Sequence, residues 1–183
     1  MKYNQQNLIN AINYGEHFKY LCFWGHQPSK DGTITKTCFS QWWLSDFVVD
    51  EIEYKSAEHW MMAEKARLFN DDEIFTKIID CRTPAEAKKL GRLVKGFDIK
   101  IWEGKCFDIV VRGNFCKFSQ NEELREFLLN TKERVLVEAS PVDAIWGIGL
   151  TIDNPNTENP EKWEGTNLLG FALMEVRDLL DKT

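Results

Sequence analysis

Histidine is scarce in this chain. His17, His26 and His59 are the only three in 183 residues, too few and too scattered for the usual zinc or iron centres. The five cysteines are odd in number and form no C-x-x-C pair, spacing that argues against a disulfide framework or a zinc site. Reduced structural thiols in a reducing compartment are expected instead. No basic and apolar leader opens the sequence and no apolar run approaches 18 residues, so the expectation is a cytoplasmic protein with no membrane span. There is no Walker loop, G-x-G-x-x-G, H-E-x-x-H or G-x-S-x-G. A net charge of −6 argues against coating nucleic acid by counterion release. No metal and no cofactor are expected, and the chemistry falls to carboxylates, Lys, Arg and aromatics.

What the chain does have is an ordinary globular balance, 43% hydrophobic and 28% charged, with seven Trp and twelve Phe. Residues 1–18 read as a short helix or arm, and 19–183 as a single domain. Tyr20 to Trp24 reads as a strand, as does the stretch from Phe47 to Tyr54. Ser56 can cap a helix running to about Phe69, and a break at Asn70-Asp71 starts another. Thr83-Pro84-Ala85-Glu86 is a capping box with Pro at the first helical position. Ile101 to Phe118 has apolar residues at close to helical spacing, and Asn121 to Asn130 is a shorter amphipathic helix. Val135-Leu136-Val137 reads as a strand, Thr151 to Gly165 as a long polar loop, and Asn167 as the cap of a last helix ending near Leu180. The expected class is α+β, predominantly helical around a small sheet.

Two segments carry candidate chemistry. Glu58 falls in the first turn of its helix, where the dipole and free N–H groups favour a carboxylate. It suits a base, a nucleophile or a cation stabiliser. Lys65 lies seven residues on, two turns later on the same face, beyond Met61 and Met62. Desolvation there would lower the ammonium's pKa and allow a neutral amine nucleophile. The second segment, Glu138 to Gly149, follows a strand, a common place for catalytic groups. Asp143 with Glu58 would supply the two carboxylates that glycosidic cleavage typically uses, and Trp146 beside Gly147 offers an aromatic face. Gly91-Arg92 offers an anion grip, Trp102 a stacking surface, and Ser40 a hydroxyl.

Taken in order, these segments resemble the NADAR (YbiA-like) family. The matching pieces are Phe39-Ser40, Ser56-Ala57-Glu58-His59, Glu64-Lys65-Ala66, Leu90-Gly91-Arg92, Trp102 and Lys117-Phe118. They continue through Leu128-Leu129-Asn130-Thr131, Glu138, Asp143, Trp146-Gly147, Asn167-Leu168-Leu169-Gly170 and Leu173-Met174-Glu175-Val176-Arg177. Gln41 stands where an Asn often follows the Phe-Ser pair, Ile148 where some members carry an acidic residue, and the loop from Thr151 to Gly165 is longer than in compact members.

The resemblance implies a YbiA-like fold and an N-glycosidase that cleaves the C1′–N bond between a phosphorylated ribose and a nucleobase-like group. Riboflavin-pathway phosphoribosylamino-pyrimidines are one implied substrate class. An ADP-ribosyl hydrolase acting on guanine in nucleic acid is the alternative, with nucleic acid only as modified substrate. A non-catalytic ADP-ribose or nucleotide sensor is a third reading. The implied catalytic residues are Glu58, Lys65 and Asp143. Ser40, Arg92, Trp102, Glu138, Trp146, Gly147 and Asn167 would bind substrate.

Overall fold

A computed structural model describes residues 1–182. The chain packs as two units, one formed by Met1–Ser40 with Glu123–Thr183 and the other by Gln41–Glu122. The class is α+β and predominantly helical, as expected. The β component is not one small sheet but two separate two-stranded ladders, one in each unit.

In the first unit, α1 (Gln5–Asn13) starts where the Asn4 side chain accepts a hydrogen bond from the Asn7 N–H. The strands β1 (Tyr20–Phe23) and β4 (Val135–Glu138) pair in parallel, from Tyr20 opposite Val135 to Phe23 opposite Glu138. The apolar Val135-Leu136-Val137 run is fully buried, as a strand covered on both faces must be. A 3-10 turn at Lys36–Phe39 brings Phe39 against Phe23 and Phe127, each with ring centroids 5.4 Å apart. Helix α7 (Glu122–Leu129) leads into β4, and α8 (Leu168–Leu180) packs on that strand with buried residues on nearly every side. A Cβ at Gly170 would stand 2.1 Å from the Leu136 carbonyl oxygen, so only glycine lets the helix lie this close. The polar stretch from Thr151 to Gly165 folds on itself: the Trp163 indole donates to the Thr157 carbonyl at 2.8 Å, and Pro160–Lys162 forms a 3-10 turn.

In the second unit, the segment read as one strand from Phe47 to Tyr54 is a hairpin, β2 (Leu44–Val49) and β3 (Ile52–Ser56). Its two-residue turn is Asp50-Glu51, with φ of 50° and 67°. Turns of that handedness suit the twist of a hairpin but usually advertise themselves with Asn-Gly or Asp-Gly; here glycine is missing, so the signal was absent. Helix α2 (Ala57–Leu68) begins at Ser56, whose hydroxyl accepts from the His59 N–H. Asn70 adopts φ 56°, and α3 (Asp72–Asp80) restarts with Asp71 as its cap. The Thr83 capping box is complete and opens α4 (Pro84–Gly91). The helix expected from Ile101 to Phe118 is two, α5 (Ile99–Glu103) and α6 (Cys106–Ser119). The break at Gly104-Lys105 leaves the apolar spacing intact, which is why periodicity alone runs through it. No helix among the described residues is long and apolar enough to cross a membrane.

Helix α2 is the centre of this unit. Every residue from Ala57 to Ala63 is buried, and the flanking helices approach through glycines. A Cβ on Gly113 would meet the Trp60 ring at 2.1 Å, and one on Gly91 would meet the Met62 sulfur at 2.1 Å. The Trp60 indole also donates to the Ile109 carbonyl at 2.7 Å, fixing the ring that α6 packs against. A Gly113→Ala substitution should therefore destabilise the protein by about 1–3 kcal/mol through overpacking. Urea unfolding followed by tryptophan fluorescence measures this; a change under about 0.5 kcal/mol, the level of an ordinary surface substitution, would show that the contact is soft.

Candidate active site

The sequence candidates divide between the units. Glu58, Lys65, Arg92 and Trp102 belong to the second, while Ser40, Glu138, Asp143, Trp146, Gly147 and Asn167 belong to the first.

Glu58 lies in the first turn of α2 and is only 5% exposed. Its N–H donates to the Gln41 carbonyl at 2.9 Å, and the Gln41 side-chain oxygen accepts from the Asn114 amide of α6 at 2.8 Å. Gln41, read from sequence only as a departure from a family pattern, is thus part of what anchors the start of α2. Asn114, fully buried, gave no sequence signal.

Two turns on, α2 comes out of the core and Lys65 is half-buried. Its ammonium nitrogen lies 4.1 Å from the centroid of Phe97 and 5.7 Å from that of Trp102. Lys65 makes no ion pair among the described residues. Burial holds its pKa below the ordinary lysine value, and the like charge of Arg92 adds to the effect. Arg92 caps the C-terminus of α4 and is exposed; Trp102, on the short α5, is half-buried. Three sequence candidates therefore share one neighbourhood: an amine biased toward its neutral form, a guanidinium and an indole. Phe97, the ring nearest the amine, went unread because it belongs to no motif.

His59, next to Glu58, is not poised for acid–base work. It is buried, bonded through Nδ1 to the Ser56 hydroxyl at 2.7 Å, and its pKa is pushed down to about 4 by burial and then by Lys55.

In the first unit the loop after β4 is wound tightly. Asp143 Oδ1 accepts from the Ile145 N–H at 2.9 Å and the Trp146 N–H at 2.8 Å, an Asx turn that shapes the loop. Asp143 Oδ2 takes no hydrogen bond from the described residues, and the side chain is half-buried. Gly147 is buried, and a Cβ there would come within 2.9 Å of the Asp143 and Glu138 carbonyl oxygens and of Ser140. Its service is to let three stretches of main chain meet. Trp146 and Glu138 are half-buried, Glu138 closing β4. Ser40 ends the 3-10 turn, its N–H donating to the Thr37 carbonyl at 3.1 Å.

Asn167 occupies the position before α8, but its side chain does not cap that helix. Fully buried in a left-handed conformation of φ 55°, it accepts from the Glu138 N–H at 2.9 Å and donates to the Leu136 carbonyl at 2.9 Å. Its own N–H donates to the Gly147 carbonyl at 3.0 Å. One residue, through its side-chain amide and its main-chain N–H, thus ties β4, the Asp143 loop and the start of α8 together. Among the described residues, no three His, Cys, Asp or Glu side chains converge as a metal site.

Replacing Asn167 by Gly keeps the left-handed backbone at no steric cost while stranding the buried Leu136 carbonyl and the part-buried Glu138 N–H. The expected loss is about 2 kcal/mol or more, read from the shift in the urea midpoint. A neutral result would mean the Asn167 clamp is dispensable.

Comparison with known proteins follows this geometry. The model of the NADAR domain family matches residues 22–181. The chain is 44% identical over 165 residues to "N-glycosidase R617" of Acanthamoeba polyphaga mimivirus, spanning 87% of this chain and 95% of that protein. It is 34% identical over 135 residues to "Riboflavin biosynthesis protein PYRR, chloroplastic" of Zea mays, covering 70% of this chain and 20% of the maize protein. Among solved structures, the NMR structure of the E. coli protein YbiA superposes with a TM-score of 0.68 at 27% identity, covering 91% of this chain and 88% of that one.

Proposed function

The chain belongs to the NADAR domain family and is an N-glycosidase, and on that premise we propose that it hydrolyses the C1′–N bond of a small phosphoribosylated pyrimidine. The observation that carries the mechanism is Lys65, a half-buried amine with no ion pair among the described residues, biased toward neutrality and flanked by two aromatic rings. The family match runs through both packing units, which supports treating residues 19–183 as one catalytic domain. The five free thiols suit a reducing compartment, and we assign the protein to the cytoplasm.

In this scheme the Lys65 amine attacks C1′. The Nζ–C1′ bond forms as the C1′–N bond to the base breaks, and the bonding pair leaves with the base nitrogen, which takes up a proton. The ring oxygen then parts from C1′, leaving an iminium to Lys65. Water adds to that carbon, the amine is expelled, and the sugar recloses. Glu58 stabilises the positive charge that develops at C1′, an electrostatic effect worth several kcal/mol in such sites. Asp143 handles protons through Oδ2 while Oδ1 holds its loop. Arg92 grips phosphate, and Trp102 provides an aromatic face for the base. Gly147 and Asn167 act by shaping the Asp143 loop, and Ser40 and Glu138 bind ribose hydroxyls.

Purified protein incubated with a phosphoribosylamino-pyrimidine should release base and sugar phosphate, detected by mass spectrometry, and Glu58→Gln should slow this by about 100-fold or more. Cleavage of an ADP-ribosyl-guanine oligonucleotide instead would move the substrate assignment to an ADP-ribosyl hydrolase. Unchanged turnover in Glu58→Gln would remove that residue from the chemistry. Borohydride added during turnover should leave a reduced sugar adduct on Lys65; adduct-free protein under active turnover would reduce Lys65 to a cationic binding group.

A further inference from the structure

Phe97 is 41% exposed, between α4 and α5. It is held from behind, its ring meeting Phe69 edge-on with centroids 5.3 Å apart and planes at 63°. The Lys65 nitrogen stands over it at 4.1 Å, closer than to Trp102 at 5.7 Å. We propose that Phe97 is a positioning residue for Lys65: pinned by Phe69, its ring closes one side of the amine's surroundings to water and so sets the fraction of Lys65 present as free amine. This rests on the reading in which Lys65 attacks as a neutral nucleophile, and it names the group that makes the nucleophile available.

Two effects of the ring oppose each other. Its quadrupole attracts an ammonium, while its bulk excludes the water that an ammonium needs. Burial is the leading cause of the lowered Lys65 pKa, ahead of Arg92, and in this proposal the ring acts as part of that burial, its exclusion of water outweighing its attraction. The other nearby charges are engaged elsewhere. Glu64, beside Lys65 on α2, pairs with Arg67. Asp71, between α2 and α3, accepts from the Ile74 and Lys95 N–H groups, and the Lys95 ammonium pairs with Glu73 of α3. Asp98, before α5, accepts from the Lys100 and Ile101 N–H groups. Glu58 lies two turns away along α2, about 10 Å at 1.5 Å per residue. Among the described residues, Arg92 is the charged group whose like charge lowers the Lys65 pKa, in the same direction as burial.

The test needs no substrate. Wild type, Phe97→Ser and Phe97→Leu are labelled competitively with acetic anhydride across a pH series, and the Lys65 peptide is followed by mass spectrometry. Phe97→Ser should raise the Lys65 titration by about one pH unit, leaving about tenfold less free amine at neutral pH. Phe97→Leu keeps an apolar wall and should stay within about half a unit of wild type. The kcat profile of Phe97→Ser should move alkaline by the same amount, with activity regained as pH rises. A Lys65 titration that stays put in Phe97→Ser overturns the proposal. A titration that moves while the kcat profile does not leaves Phe97 in its role and rejects the free-amine reading of Lys65.

Discussion

The second unit is organised by the burial of one helix over its first two turns. From Ala57 to Ala63 nothing on α2 faces water, and a helix buried all round needs neighbours that come close without side chains of their own. Gly91 and Gly113 meet that need, one against Met62 and the other against Trp60. With no room for a Cβ at either glycine, α2 has little freedom to shift against α4 and α6. Glu58 and Lys65 inherit that precision from the helix that carries them. The same burial explains His59, which is kept neutral in the core. Its folded pKa, about 4, lies below the ordinary value, so its neutral burial costs nothing above pH 6.5 and weakens the fold as pH falls toward 4.

The first unit reaches comparable rigidity by main-chain hydrogen bonds. The loop carrying Asp143 is short of regular structure, yet its backbone is accounted for. The Ile148 N–H reaches the Glu138 carbonyl, the Glu164 N–H reaches Ile148, the Thr166 N–H reaches Ala144 and the Leu169 N–H reaches Trp146. Asn167 closes this clasp with both ends of its amide. Leaving such groups unsatisfied in the interior costs more than forming them returns, so the clasp is close to all-or-none. The small residues Gly147 and Gly165 are the geometric condition for it: a Cβ on Gly165 would lie 2.4 Å from the Gly147 carbonyl oxygen.

Features legible in the sequence were those whose physics is local. The Thr83 capping box, the Ser56 cap, the stop at Asn70 and the apolar run at Val135 each depend on a few neighbouring residues, and each was found at its expected place. The Asp50-Glu51 turn escaped because its left-handed backbone is adopted without glycine, and the α5–α6 break because helical spacing of apolar residues continues across it. At the site, Glu58 and Lys65 were readable as one face of one helix, since the helical repeat decides it. Asn167 looked like a helix cap because position suggested one, whereas its partners, Leu136 and Glu138, lie some thirty residues back along the chain. Phe97 carried no signal at all: its importance arises only from where α2 ends and α5 begins.

Keeping Lys65 as it is has a thermodynamic cost, and the sign of that cost is informative. Its folded pKa lies below the unfolded one, so the native state binds its proton less tightly. The penalty is complete at pH values below the folded pKa and fades as pH climbs toward the unfolded value. Wherever Lys65 is protonated the fold therefore carries a destabilised ammonium, and no carboxylate among the described residues pairs with it. A replacement that merely filled the same space with an apolar chain would spare the protein this cost. That a charged group sits there instead, beside Arg92 and the Phe97 ring, is what the proposed role of Lys65 as a reactive amine requires.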